Sequence, residues 1–232
     1  CDQLILIEND KTADARLKFF NSDGGESGAC GNGTRCVADL ISRENGKKNI
    51  VLSTLSGNLK SEILQNNLVT TEIGNAKIKW DEIPLLHELD TKNLNIKIKD
   101  LANNEHYGGT AVNVGNPHVI FFVDELEIFD IAKIGPQIEN HKMFPEKCNV
   151  TIGKVINKNL IKVKVWERGA GLTKACGTAA CATAFAGSLN NLTDKKTDIE
   201  FRTGKLSIFI DEKNSIHMKG PVSDIKEISI KL

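Results

Sequence analysis

The sequence lacks an excess of charge of either sign. Its 232 residues carry 30 Lys plus Arg against 30 Asp plus Glu, with no basic block. That balance excludes the usual electrostatic footprint of a nucleic-acid-binding protein. A membrane-length apolar run is missing too. The longest uncharged stretch, Ala175 to Thr193, is rich in Gly, Ala, Ser, Thr and Asn, and it reads as a buried helix plus a turn. The start shows no secretory-leader pattern, so a cytoplasmic protein without a membrane partner is expected. None of the Gly-rich runs matches a dinucleotide or P-loop fingerprint. The six cysteines therefore read as reduced thiols, not as a disulfide framework. The spacings Cys30 to Cys36 and Cys176 to Cys181 exceed those of a zinc knuckle, and no metal is expected.

One pattern is present twice. Near the front the chain reads Gly-Ala-Cys-Gly-Asn-Gly-Thr-Arg-Cys, Gly28 to Cys36; near the back it reads Lys-Ala-Cys-Gly-Thr-Ala-Ala-Cys, Lys174 to Cys181. An apolar run at spacings of three or four follows each copy: Val37, Ala38, Leu40 and Ile41, then Ala182, Ala184, Phe185 and Leu189. Both runs predict helices. Each copy thus places a cysteine, Cys30 or Cys176, just before a helix start. The first N–H groups of a helix lack internal partners, and the macrodipole is positive there. A thiolate is favoured at that position and its pKa is expected to fall. A bound carboxylate is favoured for the same reason, and Gly31 and Gly177 allow close approach. Two acid/base groups flanking one small anion are the expectation.

Along the chain, Gln3 to Glu8 and Leu17 to Phe20 read as strands. The first helix is predicted over Gly33 to Arg43, stopped by Asn45-Gly46. Ile50 to Leu55, Asn58 to Leu64 and Asn67 to Ile73 predict an antiparallel meander. Leu94 to Asp100 alternates, with Leu94, Ile96 and Ile98 on one face. Thr110 to Val123 reads as two strand pieces broken by Gly115-Asn116-Pro117-His118. Leu126 to Lys142 reads as helical with a break at Gly135-Pro136. Val150 to Asn157 and Leu160 to Glu167 predict a hairpin, and Ile199 to Thr203, Leu206 to Ile210 and Ser215 to Lys219 three more strands. The cysteines lie 146 positions apart (176 minus 30). That is too long for a solenoid period and suits two similar domains, 1–75 with 220–232 and 76–219. Because Cys1 is followed at once by strand-like residues, further residues are expected upstream.

These motifs resemble those of the diaminopimelate epimerase family. Asn21-Ser22-Asp23-Gly24-Gly25 through Cys30-Gly31-Asn32-Gly33-Thr34-Arg35-Cys36 is similar to its first signature. Gly115-Asn116-Pro117-His118 is similar to its middle motif. Trp166-Glu167-Arg168-Gly169-Ala170-Gly171 through Ala175-Cys176-Gly177-Thr178 is similar to its second. The resemblance covers essentially the whole chain. It implies an α/β fold of the α+β kind. Two pseudo-symmetric domains, each a curved, mostly antiparallel sheet around a central helix, would hold the active site in their cleft. It implies interconversion of LL- and meso-2,6-diaminopimelate without pyridoxal phosphate or metal, feeding lysine and peptidoglycan synthesis, and a homodimer. It also implies a Gly- and Asn-bearing segment ahead of the position of Cys1. Cys30 and Cys176 match the catalytic cysteines. Gln3, Asn21, Gly31, Asn32, Asn116, Asn149, Glu167, Arg168, Gly177 and Thr178 match substrate-binding positions, and His118 and Glu167 match residues that tune the cysteines.

The chemistry fits these residue types. Inverting an α-carbon removes a proton from one face and returns one to the other, which two thiols can do, one as thiolate. Helix-start N–H groups can stabilise the charge that builds on the substrate. Arg168 offers a two-pronged carboxylate contact, Glu167 suits an ammonium group, and Asn side chains offer donor and acceptor together. The plainer readings are ordinary buried cysteines, a structural His118 and a solvated Glu167-Arg168 pair. Cys36, Cys148 and Cys181 read as core. Air oxidation could join Cys30 to Cys176 and inactivate the enzyme. The competing functions are a proline-racemase or hydroxyproline-epimerase type of enzyme, against which the first signature and Glu167-Arg168 speak, and a non-catalytic thiol sensor. An isomerase of the phenazine type would lack the cysteine pair.

Overall fold

The structure is a computed structural model that describes residues 3–21, 24–27, 30–55 and 57–229, without the side chains of Asn21 and Ser27. The readings placed on Cys1, Asp2, Ser22, Asp23, Gly28, Ala29, Ser56 and residues 230–232 lie outside the described residues. The chain folds as two compact units, 1–72 with 219–232 and 73–218.

In the first unit, strands β1 (Gln3–Glu8) and β2 (Ala15–Asn21) precede the two-residue β3 (Glu26–Ser27) and helix α1 (Gly31–Asn45). Strands β4 (Asn49–Thr54), β5 (Gly57–Ile63) and β6 (Leu68–Asn75) follow. Their sheet runs in the order β1-β2-β4-β5-β6. The meander forms because period-two burial supplies one apolar face: Ile50 and Leu52, then Leu59, then Val69. The hydroxyls of Ser61 and Thr71 satisfy each other across β5 and β6 at 2.8 Å. Helix α1 buries Val37, Ala38 and Ile41 on this sheet. Its end is set by Gly46, which adopts φ 73° and returns its N–H to the Ser42 carbonyl. Cys36, read from the sequence as core, is exposed. It points away from the stripe that Thr34, Val37, Ala38 and Ile41 define.

The second unit contains β7 (Ile96–Lys99), β8 (Glu105–Gly108), β9 (Thr110–Asn113), β10 (Pro117–Phe122), α2 (Ile131–Glu139), β11 (Asn149–Asn157) and β12 (Leu160–Glu167). It continues with β13 (Gly171–Leu172), α3 (Gly177–Leu189), β14 (Lys196–Phe201), β15 (Gly204–Ile210) and β16 (Ser215–Pro221), which ends in the first unit. The sheet order is β16-β15-β14-β12-β11-β10-β9. Both faces are covered. Ile120, Ile161, Val163 and Val165 pack with α3, whereas Val119, Phe121, Val150 and Ile152 pack with α2. Strands buried on both faces read as near-continuous apolar runs, as β10 does from Val119 onward. Helix α3 buries Ala179, Ala180, Cys181, Ala182, Thr183, Ala184 and Ala186 all round its axis; small side chains let strands approach it from every side. Leu94, Ile96 and Ile98 share the α2 core, but the strand is only Ile96–Lys99, because Asn95 takes a left-handed φ of 52°.

The two units repeat one topology. Strand β2 pairs with β3 antiparallel and, across α1, with β4 in parallel; β12 pairs with β13 antiparallel and, across α3, with β14 in parallel. The starts of β1 and β11 are 146 positions apart (149 minus 3), the same interval as the two cysteines.

One expectation fails at α2. The helix covers Ile131–Glu139 only, and Gly135-Pro136 lies inside it instead of breaking it. Asp130 starts the helix by accepting the Ala132 N–H. Pro136 removes one backbone donor, but the apolar face of the helix is fixed by the indole of Trp166. A Cβ added at Gly135 would lie 2.7 Å from the Trp166 Cβ and closer still to the ring. The root of a large side chain cannot yield cheaply. Gly135→Ala is expected to destabilise the protein by about 1–3 kcal/mol, measured as a lower urea midpoint at unchanged slope; a midpoint equal to that of the parent chain would show that the indole has room to shift.

Candidate active site

Cys30 and Cys176 occupy the same local position. Each is the N-cap of its helix, with φ −137° and ψ 108° at Cys30 and φ −136° and ψ 119° at Cys176. Each carbonyl accepts the first helical hydrogen bond, from Thr34 at 2.8 Å and from Ala180 at 3.0 Å. The surroundings of the two sulphurs differ. Cys30 is half-buried, and its Sγ accepts the Gly33 N–H at 3.3 Å. The Cys176 sulphur closes no such cap hydrogen bond and is buried.

The expectation that both pKa values fall is therefore wrong for Cys176. Burial pushes its thiol well above the ordinary range, and the Glu167 carboxylate beside it pushes in the same direction. The Thr178 hydroxyl, 3.4 Å from Sγ, opposes them without prevailing. Desolvation outweighs the helix dipole here because burial leaves a thiolate little hydration. Cys148 and Cys181 are buried, as core cysteines should be. Cys148 donates to the Ile138 carbonyl at 3.7 Å, and burial raises its pKa steeply.

Around Cys30, Gly31 and Asn32 form the first turn of α1, and the Asn32 Oδ1 accepts from Arg35 Nη2 at 2.9 Å. Arg35 is itself buried. Gln3 begins β1, and Asn21 ends β2 opposite it. Around Cys176, Gly177 and Thr178 begin α3. Glu167 lies two residues beyond Val165, which packs on α3, so it returns to the α3 face of the sheet. His118 pairs with Val112 and Asn149 on that same face.

The middle motif and the second signature meet in one network. Asn149 is buried, and both ends of its amide are engaged: Nδ2 donates to the Pro117 carbonyl at 2.9 Å, and Oδ1 accepts the Arg168 N–H at 3.0 Å. It ties two loops together. His118 is wholly buried, with Nε2 2.9 Å from the Asn116 Oδ1. Burial, aided by the charge of Arg168, holds its pKa down at about 3. Burial keeps the His118 imidazole neutral, and the Glu167 carboxylate raises the pKa of the Cys176 thiol. Arg168 is exposed, and its Nη1 donates to the Glu146 carbonyl at 2.9 Å.

Sequence reasoning missed Glu139. This buried acid at the end of α2 accepts the Trp166 indole N–H at 2.7 Å and the Gly169 N–H at 2.9 Å. Its neighbours Asn140 and His141 carry no signal that separates it from a solvated acid at a helix end. Among the described residues, no three His, Cys, Asp or Glu side chains cluster as a metal site, and no helix is long and apolar enough to cross a membrane.

Two solved structures share this fold. A phenazine biosynthesis protein of the PhzF family from Bacillus anthracis superposes with a TM-score of 0.68 at 16% identity, over 100% of this chain and 85% of its own. A hydroxyproline epimerase from Agrobacterium vitis superposes with a TM-score of 0.66 at 13% identity, over 94% of this chain and 71% of its own. The fold is thus one that this chain shares with both structures. The sequence comparisons are narrower. The profile of the family described as diaminopimelate epimerase matches residues 1–79 and 110–225. A diaminopimelate epimerase of Pelagibacter ubique is 70% identical over 232 residues, 100% of this chain and 85% of the relative. Another from Acidiphilium cryptum is 40% identical over 227 residues, 98% of this chain and 80% of the relative. The chain belongs to the diaminopimelate epimerase family, and it is an isomerase.

Proposed function

We propose that this chain interconverts LL- and meso-2,6-diaminopimelate, with Cys30 and Cys176 exchanging the α-proton. The observation that carries the reading is that a cysteine caps a helix at two topologically equivalent positions. One thiolate takes the α-proton from one face while the other group, a thiol, delivers a proton to the opposite face. After turnover the protonation states are exchanged, and the reverse reaction restores them. The surroundings suggest the resting assignment. Cys30 has an N–H donor on its sulphur, which supports the thiolate. Burial beside Glu167 holds Cys176 as the thiol. Both proton transfers are assigned to sulphur, with no cofactor or metal. The helix-start amides of Gly177 and Thr178 supply donors for a carboxylate as charge builds on the substrate, and Arg168 adds a fixed cation. Gln3, Asn21, Asn32 and Asn116 supply polar contacts to the substrate. The activity serves lysine and peptidoglycan synthesis in the cytoplasm, and the active form is a homodimer.

The test follows the α-proton by NMR, with the reduced protein and LL-diaminopimelate in D₂O. Loss of the α-proton signal with appearance of the meso isomer is the expected result. Exchange without any meso product would mean that a single base works from one face, and the two-thiol reading would be wrong.

A further inference from the structure

We propose that Glu139 is a positioning residue: its carboxylate fixes the turn that presents Glu167 and Arg168. The inference rests on the reading of those two side chains as substrate contacts. Glu139 stands at the C-terminal end of α2 and is only 6% exposed. Both circumstances oppose a carboxylate. Burial removes its hydration, and the negative end of the helix dipole repels it. What offsets these costs is a pair of donors placed on either side of the residues in question. Trp166 Nε1 donates to one carboxylate oxygen at 2.7 Å, and the Gly169 N–H donates to the other at 2.9 Å. Glu167 and Arg168 lie between those anchors. Two oxygens held by positions 166 and 169 constrain both ends of the turn, which a single acceptor cannot do.

Two further observations support the assignment. Gly135 lies one helical turn before Glu139, and Trp166 packs where a side chain at Gly135 would sit. The same face of α2 thus seats the ring and accepts its N–H. The turn is also tied from its other side, by the Asn149 Oδ1 on the Arg168 N–H and by the Glu146 carbonyl on the Arg168 guanidinium. The backbone of Glu167 closes the turn onto Ala170 at 3.1 Å. Each anchor grips backbone, indole or guanidinium, and the Glu167 carboxylate keeps its place beside Cys176.

The test compares Glu139→Gln and Trp166→Phe, each of which keeps one of the two hydrogen bonds, and Glu139→Met, which keeps neither. Ile152→Val serves as a control for stability lost in the same core. Steady-state kinetics with LL-diaminopimelate are read together with hydrogen–deuterium exchange of the protein alone. A residue that only stabilises the fold lowers apparent kcat by lowering the folded fraction and leaves KM in place. A positioning residue raises KM. The expected result is a rise of about tenfold in KM for Glu139→Gln and Trp166→Phe and about a hundredfold loss of kcat/KM for Glu139→Met. Faster exchange confined to residues 166–170 should accompany it, with neither effect in Ile152→Val. Unchanged KM in the two milder variants, or unchanged exchange in the turn, overturns the proposal. If Glu139→Met does not fold, the milder pair decides. If the parent chain does not epimerise, the proposed function falls and the exchange data alone decide on Glu139.

Discussion

Replacing either Cys30 or Cys176 with serine is expected to lower kcat/KM for LL-diaminopimelate by about 10²–10⁴-fold while the protein stays folded. The loss is chemical, because a serine hydroxyl is far less acidic than a thiol and forms no useful base near neutral pH. Structure argues against an indirect cause. Both cysteines are N-caps, and serine is among the better N-cap residues. At position 30 its oxygen can accept the Gly33 N–H that Sγ now accepts. At position 176 Sγ lies 3.4 Å from the Thr178 hydroxyl, a partner that a serine hydroxyl can keep. Thermal unfolding should therefore stay within a few degrees of the parent while meso product fails to form. Retention of more than about a tenth of the parent rate in either variant would remove that cysteine from the proton transfer.

The second large effect concerns acid stability. In the unfolded chain His118 titrates near the ordinary 6.5, whereas in the folded chain burial holds it neutral down to about 3. Above pH 6.5 neither state binds the proton, and the full stability is present. As pH falls below 6.5 the unfolded chain takes up a proton that the folded chain refuses. Stability then declines by about 1.4 kcal/mol per pH unit until the folded group titrates. Between pH 7 and pH 5 the contribution amounts to about 2 kcal/mol. Carboxylates add their own losses at lower pH, so the informative quantity is the difference from His118→Gln, whose amide can still meet the Asn116 side chain. Urea midpoints at several pH values should converge between the two proteins as pH falls. Parallel profiles would mean that His118 is protonated in the fold.

Much of this protein is legible in one dimension. The duplicated Ala-Cys-Gly run determined that two helices each begin on a cysteine, because helix starts depend on a few adjacent residues and an apolar period. Alternation along β12, with Ile161, Val163 and Val165 against Lys162, Lys164 and Trp166, was equally local and placed that strand. The family followed from three short ordered motifs for the same reason: the chemistry is carried by residues near one another in sequence.

What only the tertiary structure decided is how each group is surrounded. Both cysteines have the same backbone geometry and the same expected dipole, yet the one beside Glu167 is buried with its pKa raised, because desolvation depends on neighbours from other strands. His118 by itself read as a structural histidine and by its motif as a tuner, and its burial among β9, β10 and β11 made it neutral. Asn149 became a tie between loops once Pro117 and Arg168 came within reach. Cys36 turned outward because the helix phase, not its apolar character, set its face. Gly135-Pro136 reads as a helix break in sequence and lies within α2 in the fold, where Trp166 packs against it. Glu139 gave no signal at all, since both of its donors come from a turn 27 and 30 residues further on (166 minus 139, 169 minus 139). Burial and long-range hydrogen bonds are properties of the folded chain, and local pattern reports only the elements that make them.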